Sequence, residues 1–371
     1  QFESCKLKAT NNSVGDFRLM LLNGIFPPIT TPFYPDGQIY WKKLEHNVDR
    51  YSKTPVSGIV VQGSTGEAVM MSDQERKDVL KAAREACAPN KVLIGGTGVE
   101  SAIETVKLCE YAAELGYDAA MVRTPHYYKM AMTPAAMLAY YNTVCDQSPL
   151  PVIIYNFPPA TGYDIPAEVV IELANHPNLL SIKESAGNLD KVKKIYTETR
   201  HVKRTVTVTE QQEAVTGRML HEAKQAVAVG ELVPVGALGG KPSSSAVETV
   251  GKLKTRQKEV GFQVMVGAAH QLLESLDSGA VGAIVAFACC APTACFEIYA
   301  ACRENAREIA LEKQQRIVEP AKTIVSKLSV AGVKYAMDLN GYYGGNPRLP
   351  ILPLTGEQKA EVERLMANIK S

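Results

Sequence analysis

Lys183 lies near the end of the apolar stretch LLSIKES, residues 179–185, where a charged side chain needs an explanation. Lysine is among the residues least often buried without a partner. It could leave the strand for solvent or pair with the adjacent Glu184. Alternatively, it could form a Schiff base with a ketone, which requires a neutral amine. Burial in an apolar pocket would lower the lysine pKa from its usual ~10.4 and so supply that amine.

Tyr155 and the sequence GSTGE, which starts at Gly63, could complete such a site. Tyr155 ends another apolar stretch, and its side chain could be a core aromatic or a proton shuttle for an imine and an aldol hydroxyl. The turn offers the hydroxyl groups of Ser64 and Thr65 together with backbone N–H groups, which can hold a carboxylate. The turn is a weak signal by itself, and a lysine and a tyrosine beside it strengthen it.

Eight short apolar stretches must position these residues, and helical patterns alternate with them. The stretches are residues 24–33, 58–63, 92–98, 119–125, 151–158, 179–185, 262–268 and 282–288. They are nearly continuous in hydrophobicity, as in parallel strands that are covered on both faces. Eight such units predict an α/β fold, a (β/α)8 TIM barrel, with an open doubly wound sheet as the alternative. In a barrel, functional residues gather at the carboxyl ends of the strands.

Capping signals mark the starts of several helices between these strands. Ser72 is followed by acidic residues, and Thr133 is followed by a proline, as at a first helical turn. Ser101 with Glu104 three residues later predicts a capping box. These signals support the alternation of strands and helices.

One segment interrupts the alternation and divides the chain. We expect an N-terminal extension at residues 1–22, a barrel at 23–306 and a C-terminal helical region at 307–371. About sixty residues, roughly 201–260, separate the sixth helix from the seventh strand, far more than the usual connection. As an αβ connection, this insertion belongs on the N-terminal face, away from the chemistry. Untranslated sequence read as protein is the alternative explanation.

Composition limits the classes of partner. A net charge of +1 favours neither nucleic acid nor an anionic membrane, and no apolar run approaches the ~18 residues of a membrane span. The eight cysteines form no C-x-x-C pair and the six histidines show no ligand spacing, so the sequence predicts no metal site. Reduced, buried cysteines indicate an intracellular protein, in the cytoplasm or the mitochondrial matrix.

Five motifs in order resemble one family. GSTGE, TP-x-YY, YNFP, IKES-x-GN and GYYGG-x-P-R-x-P are similar to the dihydrodipicolinate synthase / N-acetylneuraminate lyase family, from about residue 24 to the C-terminus apart from the insertion. The resemblance implies a class I, pyruvate-handling aldolase on a (β/α)8 barrel. It implies a small-molecule keto-acid substrate, no cofactor and a homo-oligomer built as a dimer of dimers.

The resemblance also implies roles for four catalytic residues. Lys183 corresponds to the lysine that forms the imine with pyruvate, and Tyr155 to the general acid and base. Ser64 corresponds to the hydroxyl that links Tyr155 to a second tyrosine. That second tyrosine is Tyr127, which in the family reaches across a dimer interface into the neighbouring site.

Five further positions match the family's substrate-binding residues. Thr65 corresponds to the residue that holds the carboxylate, within the turn that Gly63 begins. Ser185 matches a pocket serine, and Gly267 and Ile284 match backbone positions that line the pocket.

The resemblance bears on the substrate as well. Members that condense pyruvate with aspartate semialdehyde carry an arginine five positions after the YN-x-P tyrosine, where this chain has Ala160. Alanine cannot make the bidentate carboxylate contact of arginine. This puts the condensation with aspartate semialdehyde in doubt. The segments VVQGSTGE, DAAMVRTPHYY, HPNLLSIKES and GVKYAMDLNGYYGG resemble 4-hydroxy-2-oxoglutarate aldolases, which implies cleavage of 4-hydroxy-2-oxoglutarate to pyruvate and glyoxylate. Dihydrodipicolinate synthesis, cleavage of a 2-keto-3-deoxy sugar acid, and a non-catalytic keto-acid sensor are the alternatives.

Overall fold

A computed structural model describes residues 19–228, 248–250 and 253–369. Most of the expected N-terminal extension, residues 1–18, lies outside the described residues, as does the middle of the insertion.

Strands and helices alternate through most of the described chain. The strands are β1 Gly24–Phe26, β2 Gly58–Val61, β3 Val92–Gly96, β4 Ala119–Arg123, β5 Val152–Asn156, β6 Leu179–Glu184, β7 Arg204–Thr209, β8 Glu248–Val250, β9 Leu253–Val260, β10 Gln263–Val266 and β11 Gly282–Ile284. The helices are α1 Trp41–Ser52, α2 Asp73–Ala86, α3 Ala102–Glu114, α4 Pro134–Gln147, α5 Pro158–Thr161, α6 Ala167–Leu173, α7 Leu189–Glu198, α8 Gly217–Ala228, α9 Leu272–Asp277, α10 Pro292–Arg303, α11 Arg307–Ala321, α12 Ser329–Leu339 and α13 Gly356–Met366.

Eight of the strands form one parallel barrel. Their order is β1-β11-β10-β6-β5-β4-β3-β2. The ring closes where the chain after β1 meets β2, with Ile29 N–H donating to Val60 O and Val60 N–H donating to Pro27 O. The prediction of a (β/α)8 barrel is confirmed, and each of the eight apolar stretches contains one barrel strand.

Alternate residues of the barrel strands fill two cores. Inward-facing side chains such as Val60, Ile94 and Met265 form a central cluster that also includes Tyr155. Outward-facing side chains such as Ile59 and Leu93 pack beneath the helices. Both faces of the sheet are therefore buried, as the unbroken apolar stretches predicted.

The helix caps agree with the sequence in two of three cases. Ser72 forms a full capping box with Glu75, and Thr133 accepts from the backbone N–H of Ala136. The capping box predicted at Ser101 is wrong, because its side chain makes no cap hydrogen bond. Glu104 instead pairs with Lys107 at 2.7 Å, since a residue one turn ahead competes for the same carboxylate.

The insertion packs across the N-terminal ends of the barrel strands. β7, β9 and β8 form a three-stranded antiparallel sheet, and α8 follows β7. Arg218 of α8 pairs at 3.1 Å with Asp118, which immediately precedes β4. Arg204 of β7 donates to the carbonyl oxygen of Ala174, next to the end of α6. This is the face opposite Lys183, as expected for an αβ connection.

The C-terminal helices close around the other end. α11 continues into a π-helix at Lys322–Lys327, and α12 follows it directly. Gln314 of α11 accepts from Leu273 N–H and donates to Ala269 O, which ties this region to the loop after β10. α12 is thereby held beside the carboxyl ends of the strands.

Candidate active site

Lys183 lies in β6 with its side chain in the barrel interior. Its strand neighbours in register are Tyr155 of β5 and Met265 of β10. Only 4% of the residue is exposed, and Nζ lies 3.9 Å from the centroid of the Tyr155 ring. Burial lowers the pKa of Lys183 to about 7. A large share of this amine is therefore neutral near pH 7, as a carbonyl nucleophile must be.

Glu184 does not neutralise Lys183. Adjacent residues of a strand point to opposite faces, and Glu184 lies 3.0 Å from Lys191 Nζ on the outer side. Asn156 donates to both Glu184 carboxylate oxygens. Among the described residues the Lys183 ammonium forms no ion pair, so the alternative of a Lys183–Glu184 pair is wrong.

Tyr155 faces the same cavity from the neighbouring strand. It is 5% exposed, and its hydroxyl oxygen lies 3.2 Å from Ser64 Oγ. Burial raises the pKa of Tyr155 to about 12, and the hydrogen bond with Ser64 opposes that rise. The free phenol is consequently protonated at neutral pH and can donate a proton to a departing oxygen.

The turn after β2 holds Ser64 and Thr65 in a single 3₁₀ turn. Gly66 N–H donates to Gly63 O at 3.0 Å, and Thr31 Oγ1 donates to Gly66 O at 2.8 Å. Thr65 is 9% exposed, whereas Ser64 is exposed toward the cavity. The turn is thus fixed before any ligand arrives, and hydroxyl groups and backbone N–H groups are available to a carboxylate.

Ser185, Gly267 and Ile284 line the same cavity as Lys183 and Tyr155. A Cβ atom at Gly267 would come within 1.9 Å of Ser185 Oγ, so the serine hydroxyl fits only because this residue is glycine. Ser185 Oγ is buried and has no hydrogen-bond partner among the described residues. An unpaired buried hydroxyl is costly unless a ligand uses it.

Tyr127 lies outside this cavity. Its side chain is 75% exposed, and it contacts Tyr128 edge-on at a ring separation of 5.1 Å. Its backbone N–H donates to Glu100 Oε2. The single chain therefore brings Lys183 and Tyr155 together with Ser64 and Thr65, and leaves Tyr127 on the surface.

The cavity has a volume of about 750 Å³ and a second wall that sequence reasoning missed. Ser326 of the π-helix and Ser329, Val330 and Val333 of α12 form this wall. Ser329 has a φ of +54°, a conformation that non-glycine residues rarely adopt and that is often found at functional sites. No motif marks these serines, because they come from a region more than 140 residues beyond Lys183.

His270 is also part of the cavity, on the loop that follows β10. Burial lowers its pKa, and Lys322 lowers it further. Ala160 lies on the cavity lining too, so the position where the resemblance places an arginine faces the ligand space. Lys183, Tyr155 and His270 are the ionisable side chains among the described residues of the lining.

In the described part of the chain, no three His, Cys, Asp or Glu residues form a group that could hold a metal ion. No helix in residues 19–228, 248–250 and 253–369 is long and apolar enough to cross a membrane.

Comparison with known proteins identifies the family. The profile described as the Dihydrodipicolinate synthetase family matches residues 21–221 and 224–369. The chain belongs to this family. It is accordingly a lyase, an aldolase of the dihydrodipicolinate synthetase family.

Two curated relatives and one solved structure illustrate the similarity. A probable mitochondrial 4-hydroxy-2-oxoglutarate aldolase of Emericella nidulans is 30% identical, over 92% of this chain and 93% of that protein. An L-threo-3-deoxy-hexylosonate aldolase of Hypocrea jecorina is 28% identical over the same shares. The crystal structure of a dihydrodipicolinate synthase from Bacillus anthracis matches with a TM-score of 0.74 at 22% identity, covering 94% of this chain and 99% of that one. That structure supports the barrel fold.

Proposed function

We propose that this protein is a Schiff-base aldolase that cleaves a 4-hydroxy-2-keto acid to pyruvate and an aldehyde. The observation that carries the proposal is the buried amine of Lys183, with a pKa of about 7 and without an ion-pair partner in the described residues. Tyr155 lies against it and offers a protonated phenol. An amine and a proton donor are the two groups that imine formation requires.

The reaction starts at the keto carbon. The neutral Lys183 amine attacks C2, and one of its protons passes to the former carbonyl oxygen to give a hydroxyl. Tyr155 donates a second proton to this departing hydroxyl, so that water leaves and an iminium remains. The phenolate formed in this step then accepts the proton of the C4 hydroxyl. The C3–C4 bond breaks, its electron pair forms an enamine on the iminium, and the aldehyde departs. Tyr155 returns the proton to C3. A water molecule then attacks C2 of the iminium and gives one proton to the Tyr155 phenolate and the other to the departing nitrogen, which releases pyruvate and restores the neutral Lys183 amine and the Tyr155 phenol.

The remaining groups hold the substrate. The turn with Ser64 and Thr65 binds the carboxylate next to C2, and Ser64 keeps the Tyr155 hydroxyl aligned at 3.2 Å. Gly63 begins the turn. Ser185, whose hydroxyl has no partner among the described residues, donates a hydrogen bond to the substrate. Gly267 leaves room for that serine. Ile284 closes the apolar floor around the amine.

The first candidate substrate is 4-hydroxy-2-oxoglutarate, which would give glyoxylate. Ala160 in the lining supports this choice over aspartate semialdehyde, because the described residues of the lining offer no guanidinium for a bidentate contact. The Emericella nidulans relative bears the name of this activity, at 30% identity.

The second candidate is a longer, polyhydroxylated 3-deoxy-2-keto acid. The volume of about 750 Å³ falls in the range of ~300–1,000 Å³ usual for drug-sized ligands and exceeds the needs of a five-carbon acid. Ser326 and Ser329 offer hydroxyl groups to the distal chain, and the Hypocrea jecorina relative is named for such a substrate.

Two measurements test the proposal. Borohydride treatment with pyruvate should attach a three-carbon adduct to Lys183, detected by peptide mass spectrometry, and Lys183→Met should abolish the adduct. Cleavage rates for 4-hydroxy-2-oxoglutarate and a 3-deoxy-hexulosonate, beside condensation of pyruvate with aspartate semialdehyde, decide the substrate. Efficient condensation would refute the argument from Ala160. Binding of keto acids without an adduct or turnover would indicate a sensor and overturn the proposal.

We also propose that two copies share each site through Tyr127, in an assembly that is a dimer of dimers. An exposed patch with Tyr127, Tyr128 and Met130, 97% exposed at Met130, supports a contact with a second copy. Mixed oligomers of Tyr127→Phe and Lys183→Met chains test this directly. If Tyr127 acts in the neighbouring site, mixing restores activity at one intact site. If it acts within its own chain, no site is complete and activity stays absent.

A reducing compartment, the cytoplasm or the mitochondrial matrix, is the proposed location. The seven described cysteines are all unpaired thiols, which supports this proposal. Fractionation of cells that express the full-length protein tests it, and recovery from a secretory compartment would contradict it.

A further inference from the structure

A fully buried ion pair lies behind the Ser64–Thr65 turn. Glu67 Oε1 is 2.5 Å from Lys334 Nζ, and both side chains are 0% exposed. Burial lowers the pKa of Lys334, and the neighbouring Glu67 carboxylate opposes that decrease. Removing two charges from water costs several kcal/mol per ion. A buried ion pair is therefore weak evidence for a stabilising role, and a second role is to be sought in the groups that it contacts.

Glu67 ends the turn in an unusual backbone conformation. Its φ is +56°, in the left-handed region that non-glycine residues seldom occupy, and its N–H donates to Ser64 O at 3.0 Å. Its other carboxylate oxygen accepts from Arg348 N–H at 2.7 Å. The exit of the turn is therefore held by the side chain of Glu67 as well as by the backbone.

Lys334 joins the turn to two further segments. Its ammonium donates to Thr31 O at 2.8 Å and to Asn346 O at 3.1 Å. Thr31 in turn donates through Oγ1 to Gly66 O. The loop after β1 thus contacts the ion pair through its backbone and the turn through its side chain.

The same helix forms part of the substrate cavity. Lys334 lies in α12 immediately after Val333, and both Val330 and Val333 line the cavity. Lys334 therefore links the helix that carries the C-terminal wall to the turn with Ser64 through its contact with Glu67.

We propose that Glu67 and Lys334 are positioning residues for proton transfer by Tyr155, an inference that rests on the proposed function. The pair holds the turn so that Ser64 Oγ stays within hydrogen-bond distance of the Tyr155 hydroxyl. Neither side chain touches the substrate cavity. Loss of the pair slows the steps in which Tyr155 moves a proton and leaves the equilibrium between Lys183 and pyruvate largely unchanged.

Glu67→Gln is the main test, because it removes the negative charge and keeps the size of the side chain. We expect equilibrium borohydride trapping of pyruvate close to that of the wild type. Deuterium exchange at C3 of pyruvate in D₂O, followed by NMR, should fall together with kcat by roughly ten- to a hundredfold, the scale of an ångström-level misplacement. A general loss of structure would reduce trapping and exchange alike.

Glu75→Gln is the matched control. Glu75 is the other carboxylate bound to this region, where it makes two hydrogen bonds with the Arg348 guanidinium outside the buried pair. This variant should lose thermal stability and keep kcat and exchange within about twofold. A Glu67→Gln protein that is folded and has wild-type kcat and exchange rate would overturn the proposal.

Thr31→Val keeps the inference testable if the charge variants do not fold. It leaves the ion pair intact and removes only the hydrogen bond to Gly66 O. Slower exchange with unchanged trapping would show that proton transfer by Tyr155 depends on how the turn is held, which supports the positioning role. Unchanged exchange would show that proton transfer does not depend on how the turn is held, which removes the premise of the proposal and refutes it. Absence of trapping in the wild-type protein would instead refute the proposed function, so the two failures are distinguishable.

Discussion

Lys183 and Lys334 are both buried lysines, and their surroundings differ in one decisive respect. Lys183 faces a cavity of about 750 Å³ and has the Tyr155 ring as its close neighbour. Lys334 has a carboxylate, two carbonyl oxygens and the ring of Phe33 around it. Burial lowers the pKa of both amines, but only Lys183 has free space in front of it. The difference indicates that open space and the lack of an ion-pair partner among the described residues, rather than burial, distinguish the lysine that we propose to be reactive from a structural one.

Among the substitutions that test this contrast, Lys183→Met should have the largest effect on turnover. We expect turnover to fall below detection, because no other lysine among the described residues lines the cavity and the imine cannot form. A cleavage assay with adduct mass spectrometry measures this. Lys91→Met is the control, since Lys91 is also buried but donates to Thr54 O and Val56 O near the N-terminal end of β3. Turnover that survives in Lys183→Met would show that Lys183 is no more important for the reaction than Lys91, and it would contradict the mechanism.

Tyr155→Phe should reduce kcat by roughly 10²–10⁴-fold, the usual scale for a lost acid or base group. The ring that packs against Lys183 remains, and only the hydroxyl bonded to Ser64 is removed. Steady-state kinetics at saturating substrate measure the loss, and a circular dichroism spectrum checks the fold. A near-wild-type kcat would assign the proton transfer to another group.

Lys334→Met should destabilise the protein, whereas Lys183→Met should stabilise it. Removing Lys334 leaves the Glu67 carboxylate buried without its counterion, which costs about 3–5 kcal/mol of unfolding free energy. Removing Lys183 deletes an amine that has no ion pair in the described residues. Urea unfolding at pH 7 compares the two variants. If both substitutions changed the free energy of unfolding in the same direction, the distinction between Lys183 and Lys334 would be wrong.

The smallest expected effect is the pH dependence of kcat/KM and of stability that the Lys183 amine causes. Because burial lowers the pKa of Lys183 to about 7, kcat/KM should rise about tenfold per pH unit below 7 and level off above it. The unfolded chain binds a proton at Lys183 up to ~10.4, so this residue makes stability increase with pH between about 7 and 10.4. Lys183→Met should remove that slope. A flat rate profile between pH 5.5 and 8 would show that the amine is not the titrating group.

The sequence predicted the barrel well and the insertion poorly. Parallel strands that are buried on both faces leave an unbroken apolar pattern, so each of the eight stretches could be found without coordinates. The antiparallel pair of β7 and β9 was missed, although RTVTVT in β7 alternates polar and apolar residues as a half-buried strand does. The capping box predicted at Ser101 is absent, because the Glu104 carboxylate pairs with Lys107 instead.

The candidate site divides in the same way. Lys183, Tyr155 and the Ser64–Thr65 turn were predicted because each follows an apolar strand, and parallel strands bring their carboxyl ends together. Ser329 and Lys334 could not be predicted, because their helix lies outside the repeating pattern and approaches the site only after the barrel has closed. Tyr127 remains a prediction about the assembly, since it is exposed in the single chain.

By itself, the sequence determined which residues end the strands, since hydrophobic periodicity is local and the order of parallel strands follows chain order. Only the tertiary structure decided that Lys183 has no counterion in the described part of the chain and that Lys334 has Glu67, because a side-chain pKa depends on neighbours that are up to 267 residues apart in the chain.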